Sequence, residues 1–184
     1  MTLIKTFGPR ARRAVALLGA VLLTALALAP AAQASGPRGK FDRAFMTEMV
    51  SHHSMAIHMA EMAVEKATHP ELKQKAEEIV RTQNAEIDRM QRWLKRWYGV
   101  TARPRMTEQD IQDMEELEQA SGAAFELRFM SLMTVHHTLA VERAGIAARR
   151  ARHAQLRRLA RDIVRAQEAE IKQFREWTVA WYAG

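Results

Sequence analysis

The chain has 184 residues, with 28 Lys+Arg against 21 Asp+Glu for a formal net charge of +7. Its hydrophobic share of 48% and charged share of 27% predict a packed globule, one domain or two small ones sharing a core. The absence of Cys excludes disulfide scaffolds, thiolate zinc sites, Cys-ligated iron–sulfur clusters and cysteine nucleophiles, and eight Gly and five Pro are too few for a loop-rich β-sandwich.

The N-terminus reads as a targeting segment. Lys5, Arg10, Arg12 and Arg13 form a basic stretch, Ala14 to Ala29 is an uncharged apolar run, and Ala32-Gln33-Ala34 supplies a small-x-small cleavage pattern. We expect a signal peptide over 1–34, cleaved before Ser35, by the general secretory route, with Arg12-Arg13 also compatible with a twin-arginine signal. The alternative is a leader kept as an anchor. Cleavage would leave 24 basic against 21 acidic residues, so much of the basic character belongs to the leader. The expected location is periplasmic or secreted, with no membrane association after cleavage and no nucleic-acid partner. Arg149, Arg150, Arg152, Arg157, Arg158 and Arg161 form a basic cluster, which on its own reads first as a solvated helix end.

Laying Met49 on Met133 aligns the rest of the chain with itself, without a gap. The same register pairs Phe45-Met46 with Phe129-Met130, His52-His53 with His136-His137, and Gln83 with Gln167. It also pairs Glu86-Ile87 with Glu170-Ile171, Trp93 with Trp177, and Trp97-Tyr98 with Trp181-Tyr182. We read an internal repeat: repeat one over 41–99, a connector over 100–122, repeat two over 123–184. Each unit reads as two helices. In the first, Phe45, Met49, His52, Ala56, Met59 and Ala63 recur at three- and four-residue steps, then His69-Pro70 interrupts. The next carries Leu72, Ile79, Gln83, Glu86, Met90, Trp93 and Trp97 on one face and ends at Gly99. The later unit predicts helices over 123–151 and 154–182, and Thr107 caps a short acidic connecting helix running to Gln119. The expected fold is all-α: an antiparallel four-helix bundle in one domain over 35–184.

Polar residues shared by both units are His52, His53, Gln83 and Glu86, with His136, His137, Gln167 and Glu170. Gln83 and Glu86 interrupt an apolar stripe, and a buried carboxylate requires a partner. A His–Glu/Gln network between helices satisfies both, with His52 as the imidazole on the core stripe, because adjacent residues point about 100° apart. A metal site is the competing reading. No Glu-x-x-His occurs, which argues against the usual di-iron carboxylate centre. Residues 46–62 hold five Met and three His, whereas the matching window replaces Met55, His58, Met59 and Met62 by Leu139, Glu142, Arg143 and Ile146. Thioether with imidazole suits Cu(I), and Ag(I) by analogy; Met as a core gap-filler is the alternative. Arg143 and Glu142 at the Met59 and His58 positions predict that those two are solvent-reachable.

The Met49-x-x-His52-His53-x-x-Ala56-Ile57-x-Met59-Ala60 segment, followed by Gln83-x-x-Glu86-Ile87-x-x-Met90-x-x-Trp93-Leu94, resembles the exported family called domain of unknown function 305. Its better-understood relatives are periplasmic copper-binding proteins of the CopM type. The resemblance implies a ferritin-like helical bundle in the cell envelope, with copper or silver held by Met and His in some members. The second half departs from the pattern at Arg143 and Phe174, so an equivalent second site is not implied.

These readings converge on a non-enzymatic soft-metal binder in metal tolerance or carriage, taking Cu(I) or Ag(I) and no organic cofactor. The candidate ligands are Met49, His52, His53, Met55, His58, Met59, Met62, Met133, His136 and His137. Two alternatives stand beside it: a metal-dependent redox enzyme built on Glu86, Glu170 and the paired His, and a structural or partner-binding bundle.

Overall fold

The computed structural model describes residues 36–183; the signal-peptide reading therefore lies outside the described residues. The described chain is all-helical: α1 (Pro37–Lys66), α2 (Pro70–Tyr98), α3 (Glu108–Gln119), α4 (Gly122–Arg150) and α5 (Ala154–Tyr182). Among the described residues no helix is long and apolar enough to cross a membrane. Pro37 and Pro70 stand in the first turns of α1 and α2, where a missing N–H costs no intrahelical bond. α2 stops at Gly99, whose φ of +68° is left-handed; the Val100 N–H then closes back onto the Leu94 carbonyl. Thr107 caps α3 as expected, its hydroxyl accepting from the Asp110 N–H while the Asp110 carboxylate accepts from the Thr107 N–H.

α1 packs on α2 and α4 on α5, as two hairpins, and the hairpins meet along α1 and α4. α3 lies against both α1 and α4. The outer helices bury one stripe each; on α2 it is Leu72, Ala76, Ile79, Gln83, Glu86, Met90 and Leu94. α1 has neighbours on several sides and buries residues accordingly.

The core comes in two apolar clusters. The first gathers Met46 and Met49 of α1, Met90 and Leu94 of α2, Ala140 and Ala144 of α4, and Leu159 and Ile163 of α5. The second gathers Met55 and Met59, Leu72 and Ile79, Phe129 and Met133, and Phe174 of the same helices, with Leu117 of α3. On every long helix the shared polar residues fall between the two clusters, so a polar layer divides the core.

The hairpin turns are fastened by carboxylates from the opposite hairpin. Glu126 of α4, fully buried, accepts at Oε1 from the backbone N–H of Thr68 (2.5 Å) and His69 (2.8 Å) and from the Thr68 hydroxyl (2.9 Å). Its Oε2 lies 2.6 Å from His69 Nδ1 and accepts from the Tyr182 hydroxyl. His69, the residue just before α2, stacks on Trp181 with ring centroids 3.9 Å apart. The other turn repeats the arrangement in the same register. Buried Asp42 of α1 accepts from the backbone N–H of Arg152 (2.8 Å) and His153 (3.2 Å), its Oδ2 is 2.9 Å from His153 Nδ1, and His153 stacks on Trp97 at 3.7 Å. Each carboxylate thereby satisfies the free N–H groups at the start of a helix it does not belong to.

Burial alone would push the Glu126 carboxyl up, but hydrogen bonds from Tyr182, His69 and Thr68 outweigh it and hold the pKa at about 2, below the ordinary 4.5. The same contacts push Tyr182 up to about 12, by burial first and then by its bond to Glu126. Because the unfolded carboxyl takes its proton first, the Glu126 contribution is complete above about pH 4.5 and disappears as pH falls through about 2. Glu126→Ala strands two backbone donors and should lower stability in urea by roughly 3 kcal/mol at neutral pH. Glu126→Gln should also be less stable than the native chain at pH 6, and that gap should close between pH 4.5 and pH 2; a gap independent of pH would refute the assignment.

Candidate metal site in the polar layer

The polar layer is built from four helices at one height. His53 of α1, fully buried, places Nε2 2.7 Å from Glu86 Oε2 of α2. The matching pair, His137 of α4 and Glu170 of α5, stands at 2.8 Å, though less well aligned for a hydrogen bond. Gln83 and Gln167 are buried beside them, each with an Oε1 that has no partner within the protein. The network joins helices within each hairpin, and it runs through His53 and His137. This corrects the sequence reading, which puts His52 on Glu86: the two neighbours do point apart, but it is the second of them that faces the carboxylate.

His52 and His136 do something else. They meet each other across the α1–α4 contact, ring centroids 3.5 Å apart and planes tilted by 35°. All four of their ring nitrogens are buried and without a hydrogen-bond partner. Burial, reinforced by the neighbouring His53 and Arg143, lowers the His52 pKa to about 3; burial, with the repulsion that protonating both rings of the pair would bring, pushes His136 well below its ordinary value. Both rings are therefore neutral at physiological pH, with lone pairs available.

A cavity of about 290 Å³ opens onto this pair. Met55, one turn beyond His52 on α1 and 9% exposed, lines it together with Leu139, the residue that takes its place on α4. Glu48, Asp110, Arg105 and Arg143 line it as well. Arg105, Thr107 and Asp110 come from the connector, which has no counterpart in the repeat register, so nothing in the sequence pointed to them. The connector is tied down beside the cavity where the Arg105 N–H donates to Ser51 Oγ at 3.2 Å.

The remaining sequence candidates are dispersed. Met49 and Met133 are buried in different apolar clusters. Met59 is completely buried and Met62 packs half-buried beside it, in the cluster that Leu117 of α3 completes. His58 is exposed, with Glu61 3.6 Å away. The expectation that Met59 is solvent-reachable is thus overturned: its counterpart Arg143 is exposed, but Met59 belongs to the core cluster that α3 helps to close. Among the described residues, no three or more His, Asp or Glu side chains are grouped so as to hold a metal ion. What the layer offers a metal is the mixed set His52, His136 and Met55, two neutral imidazoles and a thioether. Free lone pairs and soft sulfur fit Cu(I) or Ag(I) better than a hard divalent ion.

The architecture defines an all-α bundle of two helical hairpins joined by a short helix, with a histidine layer through its core. The family model for Domain of unknown function (DUF305) matches residues 42–178, and the chain belongs to that family. Solved structures agree in fold. The structure of CopM in the Cu(I)-bound form superposes with a TM-score of 0.70 at 36% identity, covering 77% of this chain and 97% of CopM. CopM in an Ag-bound form gives 0.69 at 37%, covering 77% and 97%. A DUF305 protein from Streptomyces coelicolor gives 0.66 at 25% identity, covering 76% and 93%. No curated protein matches the chain.

Three substitutions separate layer, core and surface. Glu86→Ala leaves the buried His53 imidazole unpaired and should cost on the order of 1–3 kcal/mol. Met59→Arg buries an unpaired charge and should cost roughly 3 kcal/mol or more. His58→Glu, on an exposed face, should stay within about 0.5 kcal/mol of the native chain. Urea denaturation orders the three, and a tolerated Met59→Arg would contradict the packing described.

Proposed function

We propose that this protein is an exported soft-metal binder that takes up Cu(I) or Ag(I) at His52, His136 and Met55, without catalysing a reaction. The observation that carries the proposal is the His52–His136 pair: two neutral imidazoles in contact, their ring nitrogens buried and without a hydrogen bond, set beside a thioether in a cavity that reaches solvent. Unpaired buried polar groups are costly, and a structure that keeps two in contact has a use for their lone pairs. The similarity to CopM, whose structures include Cu(I)-, Cu(II)- and Ag-bound forms, supports the same reading. Recurrence of the His–Glu contacts and of the turn locks at matching positions of the two halves supports an internal duplication, with a single 35–184 domain as its product. Export rests on the leader-like 1–34 segment and on the Streptomyces coelicolor relative, which carries the name 'putative secreted protein DUF305'. Metal tolerance or carriage is the role that fits such a binder.

The redox-enzyme alternative loses ground because Glu86 and Glu170 are each engaged by a different imidazole and do not converge. Anaerobic Cu(I) titration against a competing chelator tests the proposal. His52→Ala, His136→Ala and Met55→Leu should each weaken binding by at least about tenfold, while His58→Ala and Met62→Leu leave it unchanged. Native affinity in all three layer variants would sink the assignment.

A further inference from the structure

We propose a second binding site, for a phosphate-bearing anion, at the end of the bundle where α1 begins and α4 turns into α5. Arg38, Arg149, Arg150 and Arg157 wall a cavity of about 430 Å³ there, with Phe41 among its lining and no carboxylate. Among the described residues, none of these four arginines makes an ion pair with Asp or Glu, whereas Arg128 and Arg165 elsewhere do. Two of the four are held in place. Arg157 donates from one terminal nitrogen to the Ala151 carbonyl (2.8 Å) and the Arg152 carbonyl (2.7 Å), and the Arg150 guanidinium lies over the Phe41 ring, 5.3 Å from its centroid. A planar, permanently charged fork positioned in this way suits bidentate recognition of phosphate oxygens.

A solvated helix end is the plain alternative, and the fold itself weighs against it. The matching positions of the first repeat carry Glu65, Lys66 and Lys73 where this turn carries Arg149, Arg150 and Arg157, and Gln74 and Glu77 where it carries Arg158 and Arg161. The same kind of hairpin turn is therefore made without a concentration of arginine. Favourable charge at the C-terminal end of α4 accounts for Arg149 and Arg150. It does not account for Arg38 in the first turn of α1, where a cation opposes the helix dipole and no acidic residue offsets it. The first turn of α5 likewise has no acidic residue. The four arginines line one cavity whose walls hold no carboxylate, the nearby Asp42 being taken up by the turn's backbone N–H groups and His153, so a bound anion would supply the charge the lining lacks.

Isothermal titration of the protein with pyrophosphate at low ionic strength, alongside flotation with phosphatidylglycerol-containing and pure phosphatidylcholine vesicles, tests this and identifies the source of the phosphate. One pyrophosphate should bind per chain. Arg38→Gln/Arg149→Gln should weaken it by at least about tenfold, as expected for losing charge-assisted hydrogen bonds. Arg92→Gln/Arg96→Gln, an equal loss of exposed charge on α2, should not. Pyrophosphate binding without vesicle binding indicates a soluble phosphate compound. Selective flotation with phosphatidylglycerol vesicles, lost in the Arg38/Arg149 variant, indicates a lipid headgroup. Binding to neither probe, or equal loss in both double variants, overturns the site. Thermal melts of both variants should match the native chain, since the side chains changed are exposed.

Discussion

The contact between a buried imidazole and a buried carboxylate sets the terms for the rest of this bundle. His53 with Glu86, and His137 with Glu170, lie in a plane that separates two apolar clusters. A carboxylate in that position is too costly without a partner, and the imidazole facing it supplies one at 2.7–2.8 Å. Once these pairs form, the register of each hairpin is fixed, because sliding one helix by a turn would set Glu86 against an apolar cluster. The neighbouring His52 and His136 are then placed without choice: one residue earlier on the same helices, they turn about 100° away and into the α1–α4 contact.

The ends of the molecule obey the same chemistry. Asp42 and Glu126 are carboxylates buried under the opposite hairpin's turn, and each satisfies a pair of backbone N–H groups as well as a histidine ring. Layer and locks divide the labour. The layer aligns helices within a hairpin, through His53–Glu86 and His137–Glu170, while the locks join one hairpin to the other. Between them, α1 and α4 are held along their length, and a ring pair at their crossing is held with them.

Much of this is visible in the sequence. The repeat register, the Pro–Gly punctuation and the polar interruptions at Gln83 and Glu86 lead directly to the helices and to a buried polar layer. The turn locks escape notice even though His69 and His153 coincide in the same register, because their partners Asp42 and Glu126 are chemically equivalent rather than identical. From the sequence, His52 rather than His53 is set on Glu86, because two adjacent residues on a helix buried on several sides both face protein. Met59 differs from its expected exposure for another reason. Comparing it with Arg143 assumes that the two halves have equal surroundings, whereas the unpaired connector α3 packs against α1 and α4 and puts Leu117 into the cluster that holds Met59. A register of identities finds what two halves share and cannot find what the connector adds to one of them.

That inequality bears on the number of sites. His52 and His136 occupy equivalent positions and meet each other, so the place where they meet can occur only once, however similar the two hairpins are. Whatever binds there must be shared by the halves rather than duplicated. Equivalence ends at the next residues along: Met55 from one side and Leu139 from the other line the same cavity, and the connector supplies Arg105 and Asp110 to its lining. The cavity thus has two matching imidazoles and a single thioether. A soft ion needing few ligands can use such a lopsided set of nitrogen and sulfur donors.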